Sequence, residues 1–564
     1  MRAVSTATEP YYDLGSYHRP VETPEPQAQV WFDRGMVWAY AFNHEEAVHC
    51  FERALALDPD LAIARWGIAY AVGPNYNKAW EAFDPVDLAA SLARARTELA
   101  LAATGRASVV ERELIDALTV RFPTDDPGDA AALEAGHGAY ADAMARVAAE
   151  HPGDVDVAAL AADALLNVTA WALWDSATGA PAPGSRVLAA VRILDDALGT
   201  ETGRAHPGVL HLYLHALEMS AHPEDALPAA DLLRGLVPDA GHLQHMPSHI
   251  DVLCGDYRSS ILANQAAVHA DRRFVRREGP LNFYSLYRAH DLHFVVYSAM
   301  FEGRSRVALD AADELSAQLT PELLAIESPP MADWLEAFVP LRVHVLVRFG
   351  RWDELIATPL PDDQQLYCTT TATVHYGRGV AHAAKAQLPQ AHAERAALAA
   401  AYDRIPDTRY LFNNTSRDIL AIAVAMLDGE IAYREQRFDD AFTHLRAAIA
   451  LDDALPYDEP WGWMQPTRHA YGALLLEQGH VEEAAAVYAA DLGLDGTLRR
   501  SCQHPGNVWS LHGYHECLQR LGRDAEAAII GQQLTLATAR ADVPVLASCA
   551  CRLDVVTTAK GCCH

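Results

Sequence analysis

Residues 28–61, AQVWFDRGMVWAYAFNHEEAVHCFERALALDPDL, constrain the fold more tightly than any other stretch of this chain. Counted from Ala28, the residues Trp31, Gly35, Trp38, Ala47, Phe51, Ala54 and Pro59 fall at positions 4, 8, 11, 20, 24, 27 and 32. Small residues at 8, 20 and 27 let two antiparallel helices approach, aromatic rings fill the gaps, and the proline closes the second helix. Such a hairpin cannot bury its apolar face alone, so it calls for similar hairpins stacked on it.

These are the marker positions of the 34-residue tetratricopeptide repeat. The register recurs at Gly429, Ala441 and Ala448, at Gly472, Ala484 and Tyr488, and at Trp509, Gly513 and Ala525. Weaker copies begin near Phe338 and at Gly379 with Ala391. Residues 100–330 keep helical periodicity but lose the register, with Pro/Gly-rich breaks at 122–129 and 176–185. The pattern predicts an all-α chain of tetratricopeptide-like helical-hairpin repeats forming a right-handed superhelix with a concave face. Its expected organisation is an N-terminal extension over 1–27 and N-terminal and central repeats over 28–335, which carry a His-rich site. C-terminal repeats over 336–540 and a Cys-rich tail over 541–564 complete it.

That site is the clearest pointer to chemistry. Seven of the 26 histidines, His206, His211, His215, His222, His242, His245 and His249, lie within 44 residues. His211, His215, Glu218 and His222 follow i, i+4, i+7, i+11 and stack on one helix face, although Pro223 disfavours helix at His222. His206 precedes Pro207 and is placed to fold back onto that face. Pro247 suits the first turn of a new helix carrying His249, with His242 and His245 on the approach. His290 and His293, at i, i+3, offer a third element. An imidazole-dominated set suits copper, zinc or iron rather than magnesium or calcium. The expectation is copper or iron, with Glu218 and Asp291 as ligands, ligand partners or groups that handle protons. The competing readings are a metal-free small-molecule pocket and a buried polar network that shapes the repeats. No HExxH, phosphate-binding loop, dinucleotide fingerprint or nucleophile elbow is present.

A second group lies near the C-terminus. His512, His515 and Cys517, followed by Cys549 and Cys551 as C-x-C, offer a soft site for structural zinc or for copper. His512 and His515 share a helix face, whereas Cys517 points elsewhere. A reversible disulfide or buried thiols is the alternative. Cys562 and Cys563 precede the final His564 and add a further thiol pair. Cys50, Cys254 and Cys368 stand singly in apolar contexts and read as core.

The formal charge of −31 repels phosphate backbones, so nucleic acid is not an expected partner. No apolar run approaches the roughly 18 residues a bilayer span needs, and the opening MRAVSTATEPYYDLGSYHRP lacks a secretory apolar core. The expected location is the cytoplasm, without membrane attachment.

The segments DLGSYHRPV, ARWGIAYAVGPNYNKAWEAFD, HPGVLHLYLHALE, AGHLQHMPSHI, NVWSLHGYHECL and ADVPVLASCACR together resemble a family of bacterial and fungal tetratricopeptide-repeat proteins with a central HMPSHI motif and a C-terminal SCxCR motif. The likeness spans most of residues 11–552. It implies the fold and directs attention to the histidines, and it implies no activity. This chain departs from the family's HPGANHYYIHALE at Val209, Leu210 and Leu212, which spares the histidines and reshapes their surroundings.

The leading expectation is a metal-dependent oxidoreductase, using copper or iron, that acts on a small organic molecule. The alternatives are a tetratricopeptide-type scaffold that binds a peptide or protein, and a copper-handling protein working through the CxC and CCH thiols. An open groove lined with asparagine, lysine or arginine would mark the scaffold; convergent, enclosed histidines would mark the enzyme.

Overall fold

In the computed structural model, which describes residues 10–552, the sequence pattern at 28–61 becomes the helices Pro26–Tyr40 and His44–Leu57. Pro26 starts the first helix, where its missing N–H costs nothing. Asn43 caps the second by accepting from the Glu46 N–H at 3.4 Å. Between them Phe42 adopts a left-handed φ of 55°, and the Asn43 N–H donates back to the Trp38 carbonyl at 3.0 Å. That back-bond satisfies a carbonyl the helix end would otherwise leave open.

The same device closes hairpins along the rest of the chain. A left-handed residue followed by the same back-bond recurs at Gly255, Gly303, Gly350, Ala386, Gln436, Gly479 and Gly522. The hairpins they close cover 247–278, 285–318, 341–357, 368–402, 416–453, 467–491 and 508–538. Two of these, 247–278 and 285–318, fall where the sequence register had lapsed. Their turns, Gly255-Asp256 and Gly303-Arg304, resemble Gly350-Arg351, Gly479-His480 and Gly522-Arg523. The turn signature persists where the helix-packing signature fades.

Small residues set how closely the hairpins stack. A Cβ on Gly35 or Gly67 would stand 2.5 or 2.7 Å from the Phe51 ring, so that ring fills the gap between two glycine backbones. Tyr488 is held identically, with Gly472 and Gly513 leaving room for it; a Cβ there would come within 2.5 and 2.3 Å.

The chain groups into two compact units, Met1–Ile250 with Ala266–Arg288, and Asp251–Gln265 with Ala289–His564. The exchange lies upstream of the 335/336 division suggested by sequence, because the helices Tyr257–Glu278 and Ser285–Phe301 each contribute to both units. In the first unit the helix Pro207–Glu218 packs against 155–166, 187–198 and 26–40. This buries its histidine face. The second unit holds the later hairpins and a core that includes Leu474, Tyr488, Leu511 and Cys517. Tyr410–Leu411 and Asn414–Thr415 form a short antiparallel pair; the fold is otherwise all-α among the described residues. No helix there is long and apolar enough to cross a membrane.

Candidate metal centre

The i, i+4, i+7 spacing on helix Pro207–Glu218 places His211, His215 and Glu218 on the face that turns into the first unit. All three are at most 1 % exposed. The short helix Gly241–His245 and the first turn of Pro247–Cys254 bring His242, His245 and His249 to the same place, also at most 1 % exposed. Ring centroids lie 4.7 Å apart for His211 and His215, 4.9 Å for His211 and His242, 5.8 Å for His215 and His249, and 4.7 Å for His245 and His249.

The hydrogen bonds around these rings set their tautomers. His211 Nδ1 faces the Tyr40 carbonyl at 2.6 Å. A carbonyl only accepts, so Nδ1 carries the proton and Nε2 keeps its lone pair. Glu218 does the same for two rings, its Oε1 lying 2.9 Å from His215 Nδ1 and its Oε2 2.7 Å from His249 Nδ1. Both Nε2 atoms are thereby left as acceptors, and that of His249 stands 2.8 Å from His245 Nε2. Carboxylate and carbonyl partners on Nδ1 are the usual way a protein orients metal-binding imidazoles.

Electrostatics agrees with that arrangement. Burial first, and the neighbouring rings second, hold His211, His215 and His242 well below the ordinary imidazole range, so they are neutral at pH 7. Burial pushes the Glu218 carboxyl up while His249 pulls it down. His211 Nε2, His215 Nε2 and both ring nitrogens of His242 have no hydrogen-bond partner among the described residues. A buried polar group left unsatisfied costs about 1–3 kcal/mol, and a network built only for shape would not concentrate several such atoms in one place. Ligand atoms of His211, His215 and His242 lie within 4.8 Å of one another, as do those of His215, Glu218 and His249. Neutral, pre-oriented imidazole nitrogens fit a transition-metal ion.

The walls are aromatic. The Phe42 ring lies 4.5, 5.8 and 5.5 Å from His211, His215 and His242. Tyr76 lies 4.5 Å and Trp171 6.2 Å from His215, and Tyr287 lies 4.8 Å from His242. The Tyr284 hydroxyl accepts from the His242 N–H at 3.0 Å. Phe42 and Trp171 both hold left-handed backbones, at φ 55° and 58°, a conformation that disfavours bulky residues. The sequence does not mark Phe42, Tyr76 or Trp171 as walls, because their meeting with the histidines depends on contacts between distant segments.

His206 and His222 stand outside this cluster. His206 caps the 207–218 helix, its Nδ1 accepting from the Val209 N–H at 3.2 Å and its Nε2 lying 3.0 Å from Asp156. With both nitrogens engaged, it acts as a cap rather than folding back onto the cluster. His222 is exposed and lies 3.2 Å from Glu224. His290, Asp291 and His293 are buried in the second unit, with His293 Nε2 2.9 Å from Met464 Sδ and His290 beside Phe412.

The C-terminal group differs from the chelate expected of it. Cys549 and Cys551 are joined as a disulfide across a Cα separation of 5.2 Å, so they do not present a thiolate pair. Cys517 is a core thiol pushed up to about 12 by burial, which keeps it protonated. His512 and His515 remain on the helix Val508–Arg520, partly exposed. Cys562, Cys563 and His564 lie outside the described residues.

Comparison with known proteins bears on the scaffold. A family model described as Tetratricopeptide repeat matches residues 28–61. The chain contains a tetratricopeptide repeat there. No curated protein matches it. Among solved structures it is similar to Ypp1, at 8% identity over 90% of this chain and 88% of that one, with a TM-score of 0.42. It is also similar to yeast Tom70, at 10% identity over 91% and 93% with a TM-score of 0.26. A third is the APC/C hetero-tetramer Cut9–Hcn1, at 12% identity over 92% and 94% with a TM-score of 0.27.

Proposed function

We propose that the first unit houses a buried transition-metal centre and that the protein uses copper or iron there for oxidoreductase chemistry on a small organic molecule. The observation that carries this reading is the set of unpartnered, neutral ring nitrogens of His211, His215 and His242, beside a carboxylate that orients His215 and His249. His211, His215, His242 and His249 would hold the ion, with His245 adjoining. A metal so held supplies Lewis acidity and, as copper or iron, electron transfer.

The chain's own groups have distinct tasks. Glu218 positions two rings, and with both oxygens engaged by Nδ1 atoms its role here is orientation rather than proton transfer. The Tyr40 carbonyl fixes His211. Phe42, Tyr76, Trp171 and Tyr287 wall the site against bulk water.

The test is metal content of tag-free protein after anaerobic reconstitution, compared with His211→Ala/His249→Ala. Near-stoichiometric copper or iron, lost in a folded variant, is the expected result. A wild type that takes up neither metal overturns the reading.

The tetratricopeptide repeats support a second reading, a scaffold that binds a peptide or protein, and the comparisons favour it over oxidoreduction. In that case partner binding would survive the double histidine change. Copper handling through the C-terminal thiols would instead leave metal uptake intact in that variant, and reduction of the Cys549–Cys551 disulfide would be required for it.

A further inference from the structure

Arg121 is fully buried in the first unit, and its Nε and both Nη atoms have no hydrogen-bond partner among the described residues. An arginine carries five N–H donors and stays charged, so burying it unbonded is among the most expensive arrangements a protein can hold. It sits just beyond the helix Val109–Thr119, with its Cζ 5.0 Å from the Tyr140 ring centroid. Its charge also reaches His137 on the same helix as Tyr140, Tyr70 on Ala62–Val72, and Asp163 on Val155–Leu166.

The groups around it share its condition. Tyr140 Oη, Trp66 Nε1, Trp80 Nε1 and His137 Nδ1 are buried and unpartnered as well. Trp80 lies 5.6 Å from His137, and Trp66 stacks on Tyr70 at 5.3 Å. The nearby acid does not take up the guanidinium: Asp163 accepts from the Tyr70 hydroxyl and the Asn167 amide, each at 2.9 Å, and no Arg121 N–H bonds to it. Four helices and the Trp80 turn therefore supply one guanidinium, several O–H and N–H donors and flat aromatic faces, with little acceptor capacity to match them.

We propose that the first unit holds a pocket for a small organic carboxylate, in which Arg121 grips the anion while Tyr140, Trp66 and Trp80 supply further donors and an aromatic enclosure for the apolar body. A guanidinium and a carboxylate match as two parallel N–H···O bonds. A single cation suits a monoanion; a phosphate dianion would ask for more positive charge than these side chains provide. Phe42 and His44 connect the two regions, since Phe42 contacts the metal-site histidines, the His44 ring lies 6.2 Å from Phe42, and His44 lies 6.1 Å from Tyr70. The anion site rests on the buried, unpartnered donors; that its occupant is the substrate of the metal centre rests on the function proposed above.

Isothermal titration of the full chain with benzoate tests this, with benzamide as the uncharged isostere and with chelator-treated and metal-loaded protein run in parallel. Saturable benzoate binding in both forms, on the order of tenfold or more tighter than benzamide, is expected. Arg121→Met should abolish it while the ligand-free melting temperature holds or rises, because an unbonded buried charge is removed. Tyr140→Phe should weaken it several-fold in a protein that remains folded. Failure of wild-type protein to bind benzoate, equal binding of benzamide, or retention of binding in Arg121→Met overturns the pocket. Benzoate binding by protein that never takes up metal upholds the pocket and removes only the metal reading.

Discussion

At the residue scale, Glu218 offers a sharp point of leverage, because one carboxylate sets the tautomers of two imidazoles. Glu218→Gln keeps the shape but turns an amide N–H₂ toward one of the two rings. That ring must then present Nε2–H toward the cluster, and its lone pair is lost from the site. Metal affinity should fall about 10–100-fold, as for other carboxylates that orient metal-bound histidines, measured by chelator competition; unchanged affinity would show that Glu218 does not orient the ligands. His344 offers a pH test away from the cluster. Burial lowers it to about 4 from an ordinary value of 6.5. Between those values the unfolded chain binds the proton and the folded chain does not, so stability present above pH 6.5 is lost as pH falls toward 4. Relative to His344→Phe, wild-type protein should lose melting temperature across that window; a constant difference would contradict the assignment. At this scale the sequence was partly legible. Spacing alone puts His211, His215 and Glu218 on one face, and HMPSH brings a second group. The capping role of His206 was legible in principle, since it precedes a proline at a helix start, but clustering drew it into the ligand set. Arg121 left no sequence trace because its surroundings come from several separate elements.

At the scale of the element, the repeated turn matters as much as the helices. Glycine occupies the left-handed position at Gly255, Gly303, Gly350, Gly479 and Gly522, whereas Gln436 holds φ 62° there. Gln436→Gly should stabilise the protein by up to about 1 kcal/mol, read as a rise in melting temperature, because a side chain costs roughly 1–2 kcal/mol in that conformation and glycine repays part of it as lost chain entropy. A fall would mean the glutamine side chain contributes more than its backbone strain costs. Gly472→Ala should act in the opposite direction, by about 1–3 kcal/mol, since its Cβ would stand 2.5 Å from the Tyr488 ring. Helical hairpins were readable wherever small residues keep the packing register, as at 28–61 and 429–448. Between 247 and 318 that register lapses, and only the Gly-polar turns still announce the hairpins.

On the scale of the whole molecule, a bound metal should stabilise one part of the chain and leave the other largely unaffected. All the proposed ligands belong to the first unit, and a ligand that binds only the folded state deepens the stability of the structure that holds it. Hydrogen exchange with and without chelator should show protection lost at 207–218 and 241–249 and unchanged at 416–538. Uniform loss would place the metal elsewhere. The most direct measurement is anomalous diffraction at the copper and iron edges from crystals of reconstituted protein. A metal in the first unit requires a peak bounded by the Nε2 atoms of His211, His215 and His249 and by the His242 ring. A peak at the C-terminal cysteines, or none in the first unit, would contradict it.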